Sequence, residues 1–350
     1  MITNSEEIQA RFQKIEEALK GVKRLIVLTH DNPDPDSVSS ACALAHIIRH
    51  KFKVPSSVKY RGIVGRAENR AMIRVLGLRV TQLSDADFKP GTGFAFVDVQ
   101  PRTGNTSFPK NRQPVIVIDH HPLRKVTKAD FIDVRTEYGA TATMITEYLL
   151  ESGLEIPSRL ATALSYGISS ETQDLGREAG QRDIQAYLAL FPVSNKKQLS
   201  LISHPKLPRD FFLTLNRALH HSFVYKNAVA TSLGEISNPD FVAYTADFML
   251  NLERMNWSIC MGRHGGRVVI SIRTTSQRGQ AGIFLRHLVG KRGSAGGHEM
   301  IAGGQIPCED LDHEKCMQLE DELIKQFLKK LGYGDVAEMT PLLVEEPIHG

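Results

Sequence analysis

Paired thiols are what this sequence most plainly lacks. Its four cysteines, Cys42, Cys260, Cys308 and Cys316, are scattered and form no CxxC pair. That spacing argues against a zinc knuckle and a disulfide scaffold and fits a reducing cytosol. Long hydrophobic runs are missing too: none approaches the roughly 18 residues of a membrane span. The opening, MITNSEEIQARFQKIEE, is charged and has no apolar signal core. Neither sign of charge dominates, with 43 Lys and Arg against 39 Asp and Glu. A net charge of +4 announces no long nucleic-acid track. Collagen, coiled coil, secreted mini-protein and membrane protein are excluded, leaving a cytoplasmic globular protein as the expectation. A chain of 350 residues, 41% of them hydrophobic, is long enough for about two domains.

The distribution of charge says more than its total. Residues 251–300 carry eight Lys and Arg against two acids, whereas 301–350 carry eleven acids and four Lys. The basic stretch points to an anionic substrate, and the acidic one to a solvated helix surface.

Short apolar runs alternate with helical patterns in the first half. Arg24–Leu28, Phe94–Val99 and Val115–Ile118 read as strands, and Ser37–His50, about Gly139–Ser152, a segment after Pro157, and Gln181–Leu190 read as helices. Continuous apolar strands alternating with helices predict a mostly parallel, doubly wound sheet covered on both faces. In such sheets ligands bind at the carboxyl ends of the strands. The proline-bearing stretch after Leu190 reads as a connection over 191–222, helical through Phe211–His221, between a first domain (1–190) and a smaller α/β domain (223–350). There Val268–Ile272 reads as a strand, Ala281–Val289 as helical, GSAGGHEMIAGG as a glycine-rich loop and Glu309–Leu331 as an amphipathic helix closed by Gly332.

Polar residues crowd the predicted strand ends. His30, Asp31, Asp34 and Asp36 fall in one loop broken by Pro33 and Pro35, where imidazole and carboxylates together suit Mn²⁺ or a similar divalent ion. The same loop also suits a helix N-cap at Asp36 or Ser37. Asp119, His120 and His121 follow the run VIVI, and two adjacent imidazoles after a strand cannot both face a core. A flanking Asp can orient an imidazole through its second nitrogen. Asp98, ending FAFVDV, brings a third carboxylate to the same edge, and Gly167–Asp174 brings further acids.

These residues resemble the DHH phosphoesterases, named for the motif present as Asp119-His120-His121. The family's first motif is matched by His30, Asp34 and Asp36, its second by Asp98. The GGH…AG signature of its C-terminal associated domain is matched by Gly296, Gly297, His298, Ala302 and Gly303. One position departs: where the fourth motif reads G-I-x-x-D-T, Gly167-Ile168 places Glu171, with Asp174 as the alternative carboxylate. The pattern is similar to the nanoRNase and pAp-phosphatase branch. The resemblance implies two divalent ions, Mn²⁺ or else Mg²⁺. His30, Asp34 and Asp98 would hold one; Asp36, Asp98, His120 and Glu171 the other. It implies that His121 meets the phosphate or protonates the leaving oxygen, with Asp119 orienting an imidazole. Substrate contacts fall to His121, Arg102, Arg273, Gly296, Gly297 and His298. The implied reaction is hydrolysis of short oligoribonucleotides or of 3′-phosphoadenosine 5′-phosphate (pAp), by a chain whose relatives are often dimers. Rival readings are a pyrophosphatase or exopolyphosphatase, a cyclic-dinucleotide phosphodiesterase, and a non-catalytic nucleotide binder.

Overall fold

The computed structural model describes residues 5–176, 179–276, 278–297, 299–309, 311–333 and 339–343. The chain divides into two compact units, Met1–Lys206 and Leu207–Gly350. No described helix is long and apolar enough to cross a membrane.

The first unit runs α1 (Ser5–Ala18), β1 (Arg24–Leu28), α2 (Pro35–Lys51), β2 (Ser56–Tyr60), α3 (Ala67–Leu76), β3 (Val80–Gln82), β4 (Thr92–Val97), β5 (Ile116–Asp119), β6 (Phe131–Val134), α4 (Thr141–Glu151), α5 (Ser158–Glu171), α6 (Gln181–Leu190) and α7 (Lys196–Ser203). Its six strands lie in the order β3-β2-β1-β4-β5-β6, every neighbouring pair parallel. Strand order therefore reverses between β1 and β4, and the crevice outside their carboxyl ends is where this topology binds ligands.

Alternate residues of each strand face opposite ways. Leu25 and Val27 of β1, Ala95 and Val97 of β4, and Ile116 and Ile118 of β5 join the helical core with Ile8, Phe12, Leu44, Ile47, Ile48, Ile145 and Leu164. Ile26, Leu28, Phe94, Phe96 and Val117 face the other way and are closed over by Leu83, Phe88, Val99 and Phe108 from loops. Phe108 stands edge-on to Phe96, with ring centroids 5.0 Å apart. Each such side chain, fully buried, stabilises by about 1.5–3 kcal/mol.

Helix α2 starts where the two prolines forbid earlier helix, with Pro35 in the first turn and Asp34 as N-cap. The expected cap at Asp36 or Ser37 is thus displaced to Asp34, whose side chain accepts from the Ser37 amide at 2.9 Å while Ser37 Oγ closes a capping box. Helix α5 seats against that first turn because Gly167 has no side chain: a Cβ there would lie 2.3 Å from Ser39 Oγ and 3.2 Å from the Pro35 carbonyl. One turn further along, α5 ends at Glu171.

The stretch expected as a connection is more ordered than its prolines imply. It holds a 3₁₀ turn at Phe191–Val193 and α7. Ile202 and Leu199 of α7 pack with Met72 and Leu76 of α3.

The second unit runs α8 (Arg209–His220), β7 (Ser222–Tyr225), β8 (Ala228–Glu235), α9 (Asp240–Met249), β9 (Trp257–His264), β10 (Arg267–Thr274), α10 (Ala281–Val289), β11 (Ser294–Gly297), β12 (Ile301–Pro307), α11 (His313–Lys330) and β13 (Thr340–Pro341). Its seven strands form a mixed sheet, β11-β12-β10-β9-β8-β7-β13, parallel only at β8–β9. The segment expected as a glycine-rich loop is instead the hairpin β11–β12. Helix α11 starts four residues later than expected, at His313, because Asp312 caps it by accepting from the Lys315 amide at 2.8 Å. Trp257 packs in this unit's core against Phe284 and Phe327.

Candidate metal centre

The segments that follow β1, β4 and β5 supply the cluster, the first two flanking the reversal of strand order. His30 lies just beyond β1. Its Nδ1 meets the Asp31 carbonyl at 2.9 Å, a partner that requires an N–H there. Nε2 therefore faces the acids, 3.3 Å from Asp34 Oδ2 and 3.8 Å from Asp98 Oδ2. Asp98, one residue past β4, has a left-handed backbone (φ 60°). Asp and Asn tolerate that region better than most residues. His120 donates Nδ1–H to the Tyr138 carbonyl at 3.1 Å, turning Nε2 toward Asp98 Oδ1 at 3.5 Å. His121 Nδ1 sits 2.8 Å from Asp119 Oδ1 and 3.8 Å from Asp98 Oδ1.

Two triads of donor atoms lie within 4.8 Å of one another: His30, Asp34 and Asp98, and Asp98, His120 and His121. Asp98 belongs to both. Asp36, from the first turn of α2, is buried beside them, and its two oxygens accept from the amides of Thr141 (2.8 Å) and Ala142 (2.6 Å) at the start of α4.

The electrostatics are those of acids forced together. Burial, then the charges of Asp36, Asp34, Asp119 and Glu171, pushes Asp98 well above the usual carboxylate range. Burial, then Glu171 and Asp34, does the same to Asp36, against the two amides. Burial would raise Asp34 as well, but His30 and the Ser37 contacts hold it far below. Burial pulls the His30 imidazolium down, yet Asp34, the Asp31 carbonyl and Glu171 outweigh it and lift His30 to about 9. His121 is raised too, burial being overcome chiefly by Asp119. A buried set of carboxylates that cannot all ionise, faced by imidazoles and containing no thiol, fits divalent cations that prefer oxygen and nitrogen donors.

The two fourth-motif alternatives are treated differently by the fold. The charge of Glu171 acts on His30, Asp36, Asp98 and His121. Asp174 lies exposed in a left-handed turn beyond α5. Its carboxylate accepts from Ser169 Oγ, and its amide donates to the Ser169 carbonyl at 2.7 Å.

The expected substrate contacts fare less evenly. Arg102 donates to the Lys110 carbonyl at 2.7 Å, within its own loop. Arg273, expected to grip a phosphate, is buried on β10, paired with Asp247 of α9 and donating to Ser271 Oγ at 2.7 Å and the Ile272 carbonyl at 3.0 Å. It lines a pocket of about 210 Å³ with Val242, Ser271 and Gly303. Gly296 and Gly297 lie on β11. A Cβ on Gly282 of α10 would come 2.2 Å from the Gly297 carbonyl, and one on Gly297 2.2 Å from the Ile301 carbonyl. Approach of α10 to the hairpin thus accounts for Gly282, and close pairing of β11 with β12 for Gly297, whereas a Cβ on Gly296 would meet nothing within 4 Å. His298 lies outside the described residues.

Sequence reasoning missed the residues behind the cluster. The buried Gln100 donates Nε2–H to Asp119 Oδ2 at 2.7 Å, while its Oε1 accepts from the Arg124 amide (2.8 Å) and Thr127 Oγ1 (2.7 Å). Thr141 Oγ1 donates to Asp98 Oδ1 at 3.0 Å. Asp183, in the first turn of α6, accepts from the amides of Gly139 and Gly180 and from Thr143 Oγ1. Asp183 and Thr141 join segments more than 40 residues apart, and Gln100 reaches 19 residues forward, so no local pattern announces them.

Comparison with known proteins places this geometry. Residues 24–168 match the model of the DHH family, N-terminal domain. An uncharacterized protein of Methanocaldococcus jannaschii is 34% identical over 92% of this chain and 66% of its own length. A protein of Shouchella clausii named as a probable manganese-dependent inorganic pyrophosphatase is 28% identical over 43% of this chain and 48% of its own. One of Streptococcus mutans named as a probable bifunctional oligoribonuclease and PAP phosphatase is 28% identical over 62% of this chain and 63% of its own. The chain spans less than two thirds of each of these relatives. In fold, the crystal structure of an exopolyphosphatase-related protein from Bacteroides fragilis superposes with a TM-score of 0.67 at 16% identity, covering 92% of this chain and 97% of that one. The first unit, whose strand-end acids and imidazoles converge on Asp98, thus carries the N-terminal domain of the DHH family.

Proposed function

We propose that this protein is a metal-dependent phosphoesterase that hydrolyses short oligoribonucleotides, pAp, or both. The observation that carries the reading is the position of Asp98, with His30 and Asp34 gathered at Oδ2 and His120 Nε2 facing Oδ1 at 3.5 Å. His30, Asp34 and Asp98 would hold one divalent ion, and Asp36, Asp98, His120 and Glu171 a second, with Mn²⁺ favoured and Mg²⁺ the other choice. Two such ions, when bound, supply an activated water and charge to clamp the phosphoryl oxygens.

The chain's own residues supply the rest. Asp119 accepts His121 Nδ1–H at 2.8 Å, which orients the ring and leaves Nε2 as the nitrogen that meets the substrate. Contact with Asp119 raises the proton affinity of His121, and a protonated Nε2 would donate to a phosphoryl or leaving oxygen. Gln100 holds Asp119 from its other oxygen and braces the loop through Thr127. His120, its Nδ1–H tied to the Tyr138 carbonyl, is fixed as a nitrogen donor through Nε2. Arg273 of the second unit is the candidate for a phosphate contact, its release from Asp247 being required first.

Similarity to the S. mutans protein runs over more of the chain than the first unit holds, whereas similarity to the pyrophosphatase stays under half. That favours a nucleotide substrate over pyrophosphate. Pyrophosphate hydrolysis is the second reading, supported by the same metal-site likeness. Release of phosphate or mononucleotide from pAp, a short RNA, a linear dinucleotide and pyrophosphate, assayed in parallel with Mn²⁺, separates the two. Turnover of pAp or short RNA that vanishes in Asp98→Ala is expected. Turnover of pyrophosphate alone transfers the assignment to the second reading, and an undiminished Asp98→Ala variant removes both.

A further inference from the structure

Three residues at and just before the start of α4, Tyr138, Thr141 and Ala142, touch three of the candidate ligands. The Tyr138 carbonyl takes His120 Nδ1–H, and the amides of Thr141 and Ala142 take the two oxygens of Asp36. Thr141 Oγ1–H goes to Asp98 Oδ1 at 3.0 Å. Asp36 rides on α2 and Asp98 on the turn after β4, far apart along the chain, so a tie between the two acids sets their spacing. Thr141 is that tie: its amide holds one acid and its hydroxyl the other. The tie is itself held from behind, since Asp183 accepts from the Gly139 amide with both oxygens (3.1 and 3.0 Å) and from Thr143 Oγ1 at 2.6 Å. Thr141 is fully buried, so no water competes for either bond.

We propose that Thr141 is a positioning residue, which sets the spacing of Asp36 and Asp98 and thereby the affinity of the centre for its divalent ions. The inference rests on the metal-dependent reading above. Partners that orient a ligand from outside the coordination sphere typically change metal affinity by roughly 10–100-fold when removed. A Thr hydroxyl engaged this way is also distinguishable from mere packing, because Val has nearly the same shape and keeps the main-chain amide.

The test uses Thr141→Val, Thr141→Ser and Thr141→Ala in the full chain, stripped of metal by chelation and titrated with MnCl₂. Free Mn²⁺ is read by its electron paramagnetic resonance signal and folding by circular dichroism. Thr141→Val is expected to weaken Mn²⁺ binding by about tenfold or more, with Thr141→Ser restoring most of it. Turnover lost by Thr141→Val should return as Mn²⁺ is raised, with KM for the substrate unchanged. Should Thr141→Val fail to fold, Thr141→Ala removes the hydroxyl without a new methyl and carries the same expectation. Wild-type affinity in a folded variant lacking the hydroxyl overturns the inference while leaving the phosphoesterase reading intact. A wild-type protein that binds no Mn²⁺ overturns both.

Discussion

Replacing Asp98 by Asn is the perturbation that separates metal binding from folding, because the two should respond with opposite signs. Asn keeps the volume, tolerates the left-handed backbone at this position, and still accepts from Thr141 Oγ1. It removes the one carboxylate common to both donor triads. In the metal-free protein that carboxylate is unfavourable, since burial and four neighbouring acids raise its proton affinity. A group whose folded pKa lies above its unfolded value weakens the fold as pH rises past the unfolded value. At pH 7 the metal-free Asp98→Asn protein should therefore be at least as stable as wild type. The metal-loaded comparison should reverse. An ion bound only by the folded state stabilises by about 2.7 kcal/mol at a hundredfold excess over its dissociation constant, and the variant should forfeit most of that. Loss of about 4 kcal/mol of transition-state stabilisation, several kcal/mol being typical of a metal's contribution, corresponds to about a 10³-fold fall in turnover. Calorimetric melting with excess chelator and again with excess MnCl₂, alongside turnover, gives all three numbers. A variant that melts well below wild type without metal, yet gains as much from Mn²⁺, would refute the shared-ligand argument.

Other consequences are as concrete. Because His30 must shed the proton that Asp34 helps it hold up to about pH 9, Mn²⁺ affinity should climb as pH rises from 6 toward 9, and a pH-independent titration would contradict this. In chelator, the same raised value means His30 stabilises the fold below its unfolded value near 6.5 and loses that contribution as pH passes about 9; urea titrations across that window measure it. Glu171→Gln should weaken Mn²⁺ binding where Asp174→Asn leaves it within about twofold, and the reverse ranking would hand the fourth-motif role to Asp174. Glu147, fully buried, bonds Arg135 at 2.6 Å, Arg182 at 2.9 Å and the Tyr138 hydroxyl. Removing it in Glu147→Ala leaves the mostly buried Arg135 resting on Asp133 at 3.1 Å with a hydrogen bond lost, so denaturation should show a loss of about 2 kcal/mol; less than about 0.5 kcal/mol would mean the network relaxes.

Much of the first unit was legible because its physics is local. β1, β4 and β5 are unbroken apolar runs that end in an acid or imidazole, and a parallel sheet demands such runs. Pro33 and Pro35 marked the loop before α2, although the cap fell on Asp34, which alone can reach the Ser37 amide. What escaped was of two kinds. β11 and β12 hide behind glycines, residues that read as loop but here permit close backbone contact with α10. The segment around α7 hides behind prolines that flank a helix rather than forbid one. Thr141, Gln100 and Asp183 were invisible for a different reason: each is a single polar residue whose meaning lies in a partner distant along the chain. The pairing of Arg273 was hidden in the same way, its partner Asp247 lying 26 residues back along the chain.

The fit between α10 and the β11–β12 hairpin bears on how such glycine signatures are interpreted. Where a helix rests directly on the main chain of a hairpin, any side chain at Gly282 would pry the two layers apart, and one at Gly297 would force β11 away from β12. Selection on such a spot acts on clearance and is indifferent to chemistry. A protein could trade one cargo for another, or lose its cargo altogether, and still carry those glycines for as long as the layers stay pressed together.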